Sequence, residues 1–209
     1  MGDKQRHRRL RLLIKELNKS RKKQAQQIDI LCNDLVAAQR NFIKKLKTIS
    51  FTAGFYESIL GATDLNSLLY RAVKQIRGRI DETTIVFFLR QAEGFEIYAF
   101  DSERPPVLGR QQLEGCFSQE LAESICQSNK VHTLEDIFEM GVGGDFTALS
   151  GVSAVTIPLG AFGSSSGFML ICRAADERLT ADETGDISAV TSGLSQAIAR
   201  CQALSRAAD

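Results

Sequence analysis

Hydrophobic positions divide the chain into two regimes. In the first fifty residues, apolar side chains return every three or four positions, with no proline and with Gly2 as the only glycine. One row runs Ile14, Arg21, Ile28, Leu35, Phe42, Ile49; the other runs Leu10, Leu17, Gln24, Leu31, Ala38, Lys45. A repeat of 3.5 residues places both rows on one helical seam that a second chain can share. Both rows turn polar over residues 20–27, so the continuous part of the seam is Ile28, Leu31, Leu35, Ala38, Phe42 and Ile49. Such a stripe has no internal partner. It predicts a long helix paired as a coiled-coil homodimer, or a helical pair that folds back near residues 20–27.

Beyond residue 50 the period changes repeatedly. The helix is expected to run on to Leu60, with Gly61 ending it and Thr63 or Asp64 capping the next. Residues 65–80 place Leu65, Leu68, Leu69, Ala72, Val73 and Ile76 on one face. Residues 83–90 (TTIVFFLR) and 95–100 (FEIYAF) read as strands joined by a turn at Glu93-Gly94. After a break at Arg104-Pro105-Pro106 come a helix over 117–128, a short strand at 131–133, a helical turn over 134–140 and a glycine-rich loop over 141–151. Strands at 153–159 and 168–172 and a long helix over 180–207 close the chain. Neighbouring strands with hairpin-length turns imply an antiparallel sheet with helices gathered on one face, an α+β domain. The expected division is a helical segment 1–50 and a globular domain 51–209.

Charge sharpens this division. Residues 1–50 hold 14 Lys or Arg against 4 Asp or Glu, a net +10, and the remainder carries −9. A basic arm is either a solvated helix face or a surface for nucleic acid, an anionic membrane or an acidic protein. No aromatic side chain interleaves the cationic run, so base stacking is not indicated. Five cysteines, widely spaced and without a CxxC pair, suit neither a disulfide framework nor a structural zinc site. No secretory signal is visible, and the cysteine usage fits a reducing, cytoplasmic location. The uncharged stretch 146–172 is long enough to span a membrane but contains Pro158, glycines and three successive serines, and reads as a hairpin.

The last third of the chain carries a resemblance. The run Val152 to Leu159 (VSAVTIPL) ends on an apolar-Pro-Leu step. A turn containing Gly163 follows, then Gly167-Phe168-Met169-Leu170-Ile171, then Leu179-Thr180-Ala181-Asp182-Glu183 at the entry to the final helix. Upstream, residues 128–136 (SNKVHTLED) give a helix end, a short strand and an acidic residue. In this order the pieces resemble a GAF domain over about residues 50–205. The resemblance implies a sensory fold whose loops enclose a small-molecule pocket, with Gly141-Val142-Gly143-Gly144-Asp145 in the lid. Phe100, Phe117, Phe138, Met140 and Phe146 fall where that pocket would form, and core packing is the competing role for each.

Candidate chemistry is sparse. Gly115-Cys116 and Cys126 are similar to parts of the GAF-type free methionine sulfoxide reductases, but residues 144–151 lack the further cysteine such an enzyme needs. Neither His7 nor His132 adjoins a cysteine, as a bilin site would have it, and His132 is the one histidine in the domain that a haem could use. Asn129-Lys130 is followed by Val-His rather than by the cyclic-nucleotide pattern of the family. The pairs Asp81-Glu82, Glu135-Asp136 and Asp182-Glu183 sit at element ends, where capping explains them. No metal set and no identifiable cofactor follows from the sequence. The expectation is a non-enzymatic signalling module. It senses a small ligand or partner protein and acts through a dimeric N-terminal coiled coil on an unidentified signalling protein. A nucleic-acid or membrane-surface adaptor and the sulfoxide reductase are the alternatives.

Overall fold

The computed structural model describes residues 2–100, 115–141, 151–161 and 164–208. Phe146, the proline break at 104–106, Gly163 and the lid residues 142–145 lie outside them. The described chain separates into two units, Met1–Ile49 and Ser50–Asp209.

The first unit is helix throughout. Helix α1 runs Gly2–Leu60 without interruption, and residues 20–27 are helical like the rest. Lys, Arg, Leu, Gln and Ala fill it, residues that lose little freedom in a helix. The fold-back pair is therefore not the form adopted. Neither α1 nor any other described helix is long and apolar enough to cross a membrane.

The second unit begins with the last turns of α1. Helix α2 follows at Leu65–Arg77, its N-terminus held by the Asp64 carboxylate, which accepts from the Ser67 amide at 2.8 Å. Strands β1 (Thr84–Gln91) and β2 (Gly94–Phe100) form a hairpin. Helix α3 (Gln119–Ser128), strand β3 (His132–Thr133) and helix α4 (Leu134–Glu139) lie upstream of a second hairpin, β4 (Val152–Ala161) with β5 (Ser164–Ala174). Helix α5 (Ala181–Ala208) closes the chain. The five strands make one antiparallel sheet in the order β2-β1-β5-β4-β3.

The two faces of the sheet carry different cores. Ile85, Phe87 and Leu89 of β1 join Met169 and Ile171 of β5 beneath α2, α5 and the end of α1, which contributes Phe55 and Ile59. Val86, Phe88, Phe168 and Leu170 point the other way, under Leu121, Ile125 and Cys126 of α3 and Ile137 of α4. Helices thus cover both faces, where periodicity alone gathers them on one and leaves the other to loops. The reason is written in β1, whose first six residues are all buried: a strand covered on both sides has no polar alternation to mark a solvent face.

The centre of the sheet is tight. Gly167, at φ +152°, begins the run of β5 that pairs with β1, and a β-carbon there would fall 2.0 Å from the Phe88 carbonyl oxygen. Only glycine permits that approach.

Candidate ligand-binding cavity

The short helix α4 sets the first wall of a cavity. Thr133 opens the helix as a capping box: its hydroxyl accepts from the Asp136 amide at 3.3 Å, and the Asp136 carboxylate accepts from the Thr133 amide at 2.7 Å. Those bonds to Thr133 hold the Asp136 carboxyl below its ordinary pKa. Between α4, the start of β4 and the segment after β5 lies a space of about 420 Å³. Its apolar wall is built from Leu134, Phe138, Val152, Ala154, Val155 and Leu179, and its polar lining from Thr133, Glu135, Ser153 and Arg178. Arg178 and Glu135 pair at 3.5 Å, both well exposed. An exposed pair of this kind contributes little, so its guanidinium remains available to an anionic group. The size falls within the range of small-molecule sites, and the lining is about as polar as it is apolar.

The aromatic candidates separate on this structure. Phe138 lines the cavity. Phe117 and Met140 pack on the same face of the sheet, but Phe117 packs at a tilt against Phe88 and Phe168, with ring centroids 5.1 and 6.0 Å away, rather than lining the cavity. Phe100 lies on the opposite face, its ring edge-on to Phe87 at 6.1 Å and its carbonyl accepting from Arg77 at 2.5 Å. Phe146 is outside the described residues. Sequence reasoning missed Arg178 and Leu179, which follow β5 and meet α4 only through the fold.

The remaining polar groups on this face are mostly committed. The Ser128 hydroxyl donates to the Ile125 carbonyl at 2.8 Å and meets His132 Nε2 at 2.5 Å, so that ring nitrogen ties β3 to the end of α3. Across from His132, the Thr156 hydroxyl is buried without a partner among the described residues. Burial pushes the Cys172 thiol up to about 12 and raises that of Cys126, against the hydrogen bond from Ser165 and the charge of Arg90. Among the described residues no set of three His, Cys, Asp or Glu side chains could hold a metal ion.

The seam candidates Ile28, Leu31, Leu35, Ala38, Phe42 and Ile49 all lie on α1 and are all exposed in the single chain.

No family model matches the sequence, and no curated protein matches it. Solved structures do match. The GAF domain of a phosphoenolpyruvate-protein phosphotransferase (ptsP) from Coxiella burnetii is 14% identical with a TM-score of 0.59, covering 77% of this chain and 98% of that one. The GAF domain of the phosphoenolpyruvate-protein phosphotransferase from Acinetobacter is 13% identical with a TM-score of 0.55, covering 74% and 94%. A GAF domain/HD domain protein from Geobacter sulfurreducens is 14% identical with a TM-score of 0.52, covering 67% and 95%. The second unit has the GAF-domain fold.

Proposed function

We propose that this protein is a sensory regulatory module that takes a small ligand in the cavity under α4 and transmits its occupancy to α1. The observation that carries this is the sharing of two residues between cavity and core. Val155 and Leu179 line the cavity, and both pack in the cluster that contains Phe55 and Ile59 of α1. A ligand that displaces either side chain acts on a close-packed core, where shifts are transmitted rather than absorbed. The apolar wall and Arg178 favour a planar or aliphatic body with one anionic end. The output is read by a second protein through α1, which pairs with another copy along Ile28, Leu31, Leu35, Ala38, Phe42 and Ile49.

The test uses 1-anilinonaphthalene-8-sulfonate, a planar body with an anionic end. Its fluorescence should rise saturably with the full-length protein. Arg178→Ala should weaken the binding about tenfold, the loss of one charge-assisted contact. Ala154→Leu, which narrows the cavity, should weaken it in a protein whose circular dichroism is unchanged. Binding indifferent to both substitutions would remove the cavity from the account.

A second reading rests on the exposure of every side chain from Gln5 to Lys23, a stretch with Glu16 as its single acid. Such a surface suits a polyanion. Retention on an anionic support should then fall steeply with salt, and retention independent of salt excludes it. Burial raises the thiols of Cys126 and Cys172, which opposes thiolate formation at those two positions.

A further inference from the structure

The exposed apolar surface of α1 is wider than one seam. Val36, Ile43 and Leu46 are each close to half exposed on this helix and belong to neither row of the seam. They fall in a row of their own. Cys32, Val36, Gln39, Ile43 and Leu46 follow one another at steps of four and three, each one residue after a seam position: Leu31, Leu35, Ala38, Phe42 and Lys45. Consecutive residues of an α-helix are about 100° apart around the axis. The helix between residues 28 and 49 therefore carries two heptad rows on faces about 100° apart. Where Lys45 interrupts the first row, Leu46 continues the second.

That angle selects an assembly. A helix in a two-stranded coiled coil has one neighbour and needs one seam. A helix at the corner of a four-helix bundle has two neighbours about 90° apart and needs a broader face, the a and d positions plus a flank. Buried area points the same way. The six seam side chains, at roughly 60–120 Å² each, bury about 400–700 Å², short of the ~800 Å² per partner of a standard stable interface. The second row makes up the difference.

We infer that the helices of four copies of this chain pack as a bundle over residues 28–49, a pair of seam-linked dimers joined through Val36, Ile43 and Leu46. Charge confines the bundle to this stretch. Residues 28–49 hold four cations and two anions, whereas residues 4–23 hold ten cations and one anion. Like charge holds the arms of four chains apart there. The inference rests on the pairing through the seam proposed above, and the two are separable by mass.

Light scattering on the full-length chain after size exclusion should give four times the monomer mass of 23.0 kDa. The triple variant Val36→Gln, Ile43→Gln, Leu46→Gln, in which glutamine keeps the helix propensity, should halve that mass at unchanged helical circular dichroism. The conservative variant Val36→Ile, Ile43→Leu should retain it. A dimeric wild-type protein overturns the bundle and leaves the seam standing, and a monomeric one overturns both. A tetramer that the triple variant does not shift, or one that the conservative variant also disrupts, overturns the second row as its contact.

Discussion

The ring of Tyr56 fills the space that a side chain at position 193 would take: a β-carbon on Gly193 would lie 2.3 Å from the ring. Tyr56 belongs to the end of α1 and Gly193 to the middle of α5, so this glycine sets how closely the two helices pack. Helix interiors disfavour glycine by about 1 kcal/mol relative to alanine, and here close approach is the return.

Gly193→Ala should therefore destabilise the second unit despite its gain in propensity, by about 1–3 kcal/mol as an overpacked contact. Urea midpoints measure it. In the background of Tyr56→Ala the same substitution should become neutral or stabilising, because the obstructing ring is gone. Equal effects of Gly193→Ala in both backgrounds would show that the ring does not set the packing.

Gly167 makes a harder demand, since its neighbour is the Phe88 carbonyl and the backbone has no rotamer to change. Gly167→Ala should cost about 3 kcal/mol or more, combining overpacking with strain at positive φ. The hairpins on either side should separate in hydrogen exchange, with Phe168 to Leu170 losing protection first. A midpoint within about 0.5 kcal/mol of wild type would refute the close approach.

Most elements were legible because their local signals are strong. Asp64 before an amphipathic run, Thr133 three residues before Asp136, and the turn at Glu93-Gly94 each act through bonds to near neighbours. The cover on the second face was not legible from periodicity, though β1 held the hint: six consecutive buried residues demand partners on both sides. Phe100 went to the wrong side of the proposed pocket for the same reason. Its face is set by pairing with Ile85, and the register of that hairpin carries no one-sided polarity to read it from. Arg178 was invisible because nothing in its local sequence marks it, and Leu179 was legible only as part of the entry to the last helix. They reach the cavity through the return of β5 beside β4.

The cysteines should divide sharply by reactivity. Cys32 is exposed on α1, while Cys116, Cys126 and Cys172 are buried, and burial raises the thiol of Cys201 at its half-exposed position. At pH 8 a disulfide-exchange reagent should label Cys32 rapidly and Cys201 more slowly, leaving the other three unreacted until denaturant is added. Mass spectrometry after brief labelling identifies the sites. Fast labelling of Cys126 or Cys172 in the native protein would contradict their burial and reopen thiol chemistry in the domain.

Acid should loosen the entry to α5. Burial pushes the Glu183 carboxyl up, but the amide and hydroxyl of Thr180, each at 2.8 Å, and Arg173 outweigh it and hold the pKa below its ordinary 4.5. A carboxyl depressed in the folded state contributes stability that is fully present above its unfolded pKa and disappears as pH falls through its folded one. Wild type and Glu183→Gln should thus differ most above about pH 5 and converge on acidification below the ordinary value. Thr180→Ala, which removes the reciprocal cap, should cost about 1 kcal/mol at pH 7. Urea midpoints of the three proteins between pH 3 and pH 7 supply the comparison. A gap between wild type and Glu183→Gln that stays constant over that range would mean the carboxylate does not hold the helix entry.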